Sequence, residues 1–342
     1  MYIDKPSKKL LLSILLSATN IASFAFGITV AGERKAQNVD VVAAPFTASA
    51  DATTSPTPKA KVLKPPAPGS VSPAPKGTSA PAAAAVPRTY PIAGKGMWIY
   101  EFQRIGRGDA HAIVAAAKRN GLTHLYVRAG TSRSGLNTWP DVARILPIAH
   151  AAGIKVIPWF FVYLHNPTSD VRRTVAVLRA DVGGHRVDGF AADIETPAEG
   201  TRLSSLRMRN YIDAVRRWVP DAFMVLVPPR PNRYTIRFYP YHLVPRFNAV
   251  APMVYWGSVD PARATAEAVS YLKRYRRPIA PVGQVYDMGP EGGPKGRPSA
   301  HAVHRFMAEA HRRGSIGVSF WSWQHSAPWH WNAIRVFPGW KK

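Results

Sequence analysis

From residue 90 onward, short apolar runs alternate with stretches whose apolar positions recur every three or four residues. The apolar runs read as strands buried on both faces: 97–102, 124–130, 155–163, 189–195, 223–228, 249–256, 279–287 and 316–323. The amphipathic stretches between them predict helices over 109–120, 139–152, 169–181, 203–218, 261–275 and 299–313. Asp109 and Ser299 stand where N-caps belong, and Gly121, Gly153 and Gly314 fall just past helix ends. The link between the fifth and sixth strands, YPYHLVPRF over 239–247, has little helical character.

Eight strands, each followed by a helix or a stand-in, occupy 342 − 88 = 254 residues. That rhythm predicts an α/β fold of the (β/α)8 TIM-barrel type over 90–342. An open doubly wound sheet is the competitor, but no strand is followed by a Gly-rich phosphate loop. The GRGD at 106–109 has the spacing of neither a dinucleotide nor a P-loop motif. The chain has no cysteine, which excludes disulfide frameworks, thiolate zinc sites, iron–sulfur clusters and thiol nucleophiles. Its 11 histidines do not form a His-Glu-x-x-His pattern, so the reading assigns no metal and no cofactor.

The front of the chain is of another kind. Lys5, Lys8 and Lys9 precede an uncharged stretch from Leu10 to Ala31, the pattern of a signal peptide or signal anchor over 1–32. Residues 33–89 are rich in Pro, Ala, Ser and Thr and predict a disordered, semi-stiff linker. The expectation is a secreted or cell-surface protein that meets the membrane only through its N-terminal segment. The net charge is +25; residues 1–88 carry 10 basic and 4 acidic side chains, or +6, which leaves 25 − 6 = +19 for the remainder. Such a surface favours anionic partners such as an acidic wall polymer; a merely solvated basic surface is the alternative. The arginines are dispersed over helices rather than gathered in a nucleic-acid module, so no nucleic-acid partner is expected.

Barrel chemistry is built at the C-terminal ends of the strands. Those ends carry Glu101, Arg128, Tyr163 with His165, Asp193 with Glu195, Arg230, Tyr255, Gln284 with Asp287, and Trp321 with Trp323, Gln324 and His325. The sharpest feature is VDGFAADIE, Val187–Glu195. Asp193 and Glu195 are two apart on a strand and leave the same face. Carboxylates that close resist ionising together, so one keeps its proton, and a protonated acid beside an ionised one suits glycosidic bond cleavage. The alternative is a plain ion pair with Arg128 or Arg230. Aromatic side chains at Trp159, Phe160, Phe161, Tyr163, Trp321 and Trp323 suit the apolar faces of sugars, with core packing as the other role, favoured for Trp159 and Phe160.

These residues resemble a known group. VDGFAADIE is similar to the signature of family 18 glycoside hydrolases, Asp-Gly-x-Asp-x-Asp-x-Glu. Asp188, Gly189, Asp193 and Glu195 fall at matching positions, and Ala191 replaces the middle aspartate. PMVYW at 252–256 resembles the family's Met-x-Tyr-Asp, with Trp256 for the aspartate, and GVSFW at 317–321 resembles its last strand. The 95–326 segment also resembles a group of exported actinobacterial barrel proteins. The resemblance implies a retaining, substrate-assisted mechanism. Glu195 would be the general acid, Asp193 would orient a substrate acetamido group, Tyr255 would bond its carbonyl, and Trp321 would stack on the ring. Glu101, Arg128, Tyr163, Arg230, Gln284, Asp287 and Trp323 would complete the substrate site, and Asp287 or Glu101 could serve as an alternative second carboxylate. The expected partner is a cell-wall or extracellular polysaccharide, peptidoglycan-like or otherwise rich in amino sugars. Ala191 keeps open a barrel that binds glycan without cleaving it, and an exported scaffold with a vestigial site is the third reading.

Overall fold

The computed structural model describes residues 90–340. The expected signal over 1–32 and linker over 33–89 lie outside the described residues. Among the described residues no helix is long and apolar enough to cross a membrane.

Nine parallel strand segments form one sheet: β1 (Gly94–Ile99), β2 (His124–Thr131), β3 (Lys155–Phe161), β4 (Phe190–Asp193), β5 (Met224–Val227), β6 (Ala249–Val250), β7 (Met253–Val254), β8 (Val282–Gln284) and β9 (Gly317–Trp321). Each pairs with its neighbour in sequence except β6 with β7, and β9 returns to β1. The β6 and β7 segments are one barrel strand interrupted at Pro252, which has no N–H for the ladder. Bridges from Val250 to Ile279 and from Pro229 to Met253 carry the pairing across that break, so the ring closes as eight strands.

The helices are α1 (Ala110–Arg119), α2 (Trp139–Ala151), α3 (Pro167–Arg179), α4 (Ser205–Trp218), α5 (Pro261–Leu272), α6 (Ala300–Arg312) and α7 (Pro328–Val336). The Asp109 and Ser299 side chains accept the N–H groups of the first turns of α1 and α6, as their positions predicted. Gly121, Gly153 and Gly314 end their helices at φ +68°, +76° and +73°, backbone that L-residues avoid. The segment Tyr241–Arg246 after β5 is a 3-10 stretch instead of a barrel helix, in line with Pro240 before it and Pro245 inside it.

Two apolar layers hold the ring. Met97, Ile99, Leu125, Val127, Val156, Phe160, Ala192, Leu226 and Phe320 face outward onto the helices. Trp98, Tyr126, Ile157, Trp159, Ala191, Val225, Ala249, Ala251 and Val282 point inward and fill the barrel. Trp98 stacks on Tyr126 at 4.1 Å and meets Trp159 and Trp321 edge-on at 5.3 and 5.9 Å. The first strand begins three residues before its sequence expectation, at Gly94. Apolar patterning is blind to such a glycine: a Cβ on Gly96 would lie 2.1 Å from His124 Nε2, so the imidazole occupies the space a side chain would need. Glu101 therefore lies beyond the strand, at the start of a 3-10 turn.

Candidate active site

Ala191 and Asp193 alternate with Phe190 and Ala192 along β4, which puts Asp193 on the inward side at the C-terminal mouth. Glu195 follows two residues later. Asp193 is 5% exposed, and its Oδ1 has no hydrogen-bond partner among the described residues. Glu195 is half-buried above it. Neither acid is in an ion pair among the described residues, so the pairing with Arg128 or Arg230 is not formed. Burial, and then the nearby Glu199 carboxylate, hold the Asp193 carboxyl well above the usual carboxylate range. Burial raises Glu195 as well, reinforced by the negative charges of Asp193, Glu199 and Glu291. The pair therefore carries less than its full negative charge at neutral pH.

Phenols surround the acids. Tyr255, on the strand interrupted at Pro252, is half-buried, and burial raises its hydroxyl well above the ordinary range, with Tyr286, Glu195 and Asp193 adding to it. It meets Tyr286 edge-on at 5.4 Å. Tyr286 donates to Glu291 Oε2 at 3.0 Å. Tyr239 donates to the Ile194 carbonyl at 2.7 Å, between the two acids. Burial holds each of these hydroxyls toward its protonated form, a neutral hydrogen-bond donor.

The remaining expected residues divide by position. Tyr163, half-buried after β3, lies in the combined field of Arg133, Glu195, Asp193 and Arg128, which places it at the acids. Trp321 stands beside Tyr100 at 5.7 Å and Trp159 at 5.3 Å and forms the aromatic floor; its peptide bond to Ser322 is cis. Arg128 leans on the Tyr100 ring at 4.5 Å.

Other residues are taken up elsewhere. Glu101 pairs with Arg104 at 3.0 Å. Arg230 is in no ion pair, and its buried Nη1 has no hydrogen-bond partner among the described residues; burial lowers its guanidinium, with Glu267 opposing. Gln284 is buried, accepts from the Gly257 N–H at 3.1 Å and donates to the Tyr286 carbonyl at 3.3 Å, so it ties two mouth loops together. Asp287 accepts from Gly289 and Gly296 N–H at 2.7 and 2.8 Å and shapes its own exposed loop. Trp323 packs on Trp331 at 4.7 Å in the outer layer. Asp188 is at the opposite end of the barrel, where it accepts from Val156 N–H at 2.9 Å and contacts His150 at 2.7 Å and Lys155 at 2.9 Å.

Sequence reasoning missed Glu199, Glu291, Tyr239, Tyr286 and Arg133. Glu199 had a local signal: T-P-A-E over 196–199 spells a capping box, which the structure forms. The others sit on loops whose courses no periodicity encodes. Among the described residues no group of three or more metal-ligating side chains is arranged to hold an ion.

Fold and mouth together define a (β/α)8 barrel with two adjoining acids at the C-terminal ends of its strands. Solved structures give the same fold. A chitinase from Chromobacterium violaceum matches with TM-score 0.53 and 13% identity over 71% of this chain and 98% of its own. An endo-1,4-beta-mannanase from Rhizomucor miehei matches with TM-score 0.52 and 8% identity over 68% of this chain and 86% of its own. A Pseudomonas stutzeri endoglucanase matches with TM-score 0.51 and 13% identity over 72% and 93%. At such identities the likeness is one of fold. No family model and no curated protein matches the chain.

Proposed function

We propose that the protein is an exported glycoside hydrolase acting on a cell-wall or extracellular polysaccharide that contains N-acetylated sugars. The observation that carries the reading is the Asp193–Glu195 pair: two adjoining acids at the mouth, without a cationic partner among the described residues, both held toward the protonated form. A carboxyl that keeps its proton near neutral pH can give it to a glycosidic oxygen as the bond breaks. Glu195, the more exposed of the two, is the proton donor. Asp193, deeper in the ring, orients a substrate acetamido group whose carbonyl oxygen attacks the anomeric carbon. The leaving oxygen takes the Glu195 proton, and the ionised Glu195 then draws a proton from the water that opens the cyclic intermediate. The Tyr255 hydroxyl donates to the acetamido carbonyl, and Trp321 offers its ring to the sugar face.

The second reading, a barrel that binds glycan without cutting it, is favoured by Ala191. This methyl occupies the place where the resemblance expects a third acid, and the buried Asp193 Oδ1 is left unpaired. One experiment separates the two. Purified protein is incubated with amino-sugar polymers and with peptidoglycan, and new reducing ends are counted. The hydrolase reading expects release by the unsubstituted protein and none by Glu195→Gln. Equal background release by both, with retention on the polymer, leaves the binding reading.

A further inference from the structure

The mouth holds cations as well as acids, and the two sets do not neutralise each other. Tyr163 feels both sets: burial raises its hydroxyl, Glu195 and Asp193 add to that, and Arg133 and Arg128 oppose it. The Arg128 guanidinium lies over the Tyr100 ring at 4.5 Å, and that of Arg133 over the Tyr163 ring at 4.1 Å. Their polar contacts are single and long: Arg128 Nε donates to the Gly130 carbonyl at 3.5 Å, and Arg133 Nη2 to the Gly200 carbonyl at 3.4 Å. Neither has a carboxylate partner among the described residues, whereas Arg104, Arg246, Arg305, Arg312 and Arg313 each do.

Stacking fixes the plane of a guanidinium and leaves its N–H edges free, which is the preorganised fork that a carboxylate fits. The backbone maintains this arrangement at Arg133. Gly200 stands at φ +85°, and a Cβ there would meet Arg133 Nη2 at 3.0 Å. Arg128 continues the inward-facing series of β2 after Tyr126, so its fork belongs to the cleft and not to the outer surface.

We infer that Arg128 and Arg133 recognise a carboxylate carried by the polysaccharide, so that the preferred ligand is an acidic N-acetylated glycan and not a neutral one. The inference rests on the glycan-directed reading of this mouth and adds to it the chemical class of the sugar. The +19 charge of residues 89–342 would draw the same class of polymer toward the barrel.

The test uses three probes: a neutral chito-oligosaccharide, an alternating N-acetylglucosamine–N-acetylmuramic acid oligomer with free lactyl carboxylates, and that same oligomer with the carboxylates amidated. Equilibrium binding is measured on the full chain carrying Glu195→Gln, so that cleavage does not consume the ligand. The acidic oligomer is expected to bind at least about tenfold more tightly than its amidated form. Adding Arg128→Gln or Arg133→Gln is expected to bring that ratio toward one. Equal affinity for the acidic and amidated forms overturns the inference, as does a ratio that survives both arginine substitutions or no binding to any probe. Cleavage is followed separately on the unsubstituted chain. Arginine-dependent preference without cleavage removes the hydrolase reading and keeps this one; equal cleavage of acidic and amidated forms at equal affinity does the reverse.

Discussion

The hydroxyl of Tyr239 donates to the carbonyl of Ile194 at 2.7 Å, so a residue from the loop after β5 grips the peptide between the two acids. The ring is 4% exposed, and Ile194 is fully buried. This bond adds to the Ile194 N–H bond to the Val227 carbonyl at 3.2 Å in holding the peptide just beyond β4. Tyr239→Phe keeps the ring packing and removes only the donor. The expected cost is about 1 kcal/mol of stability in denaturant unfolding. The expected fall in kcat exceeds what that loss of folded protein accounts for, because Glu195 loses its fixed position.

The acids make stability depend on pH. A carboxyl whose folded pKa lies above its unfolded value binds more protons in the folded state, so its contribution is complete at low pH and declines as pH rises from the ordinary carboxylate range through the raised folded value. Asp193 and Glu195 are both raised by burial first and by neighbouring acids second. Urea unfolding of the unsubstituted protein should therefore show stability falling between mildly acidic and mildly alkaline pH. Asp193→Asn with Glu195→Gln should flatten that slope; an unchanged slope would place its origin elsewhere.

The same shift sets the activity profile. A proton donor must be protonated to act, so the alkaline limb of kcat/KM reports loss of the Glu195 proton. That limb is expected above the ordinary carboxylate range. Glu199→Gln removes a negative charge that raises both acids and should move the limb toward lower pH. Rates measured across a buffer series check the direction.

Tyr255 separates function from stability. Among the described residues its hydroxyl makes no hydrogen bond, and the charges of Glu195 and Asp193 act on it. Tyr255→Phe is expected to change unfolding free energy by less than about 0.5 kcal/mol. Turnover should fall by about tenfold or more through loss of a donor to the substrate. Parallel melting curves and initial rates decide the matter.

Gly189 illustrates a motif residue with a structural duty. A Cβ there would lie 2.7 Å from the Phe223 carbonyl oxygen, part of the backbone pairing between β4 and β5. Backbone cannot move aside as a flexible side chain does, so Gly189→Ala should cost about 1–3 kcal/mol in thermal or chemical unfolding. A neutral result would show that the strands can part there without loss.

The eight-strand rhythm, the capped helices at Asp109 and Ser299, the interior course of Asp193 and the aromatic place of Trp321 were all legible in the chain. Each depends on spacing along one element, where period 2 or 3.6 fixes which side chains share a face. The distribution of the outlying polar residues was not legible. Glu101, Gln284, Asp287 and Trp323 stand at strand ends just as Tyr163 and Arg128 do, yet loop geometry sends these four to local partners or to the outer layer. Tyr239, Tyr286 and Glu291 reach the acids from loops far away in sequence. The sequence by itself determined a closed parallel barrel with Asp193 on its inward face, because local periodicity is enough for that. Only the tertiary structure decided which charges stand near those acids, because burial and through-space fields depend on where distant loops come to rest.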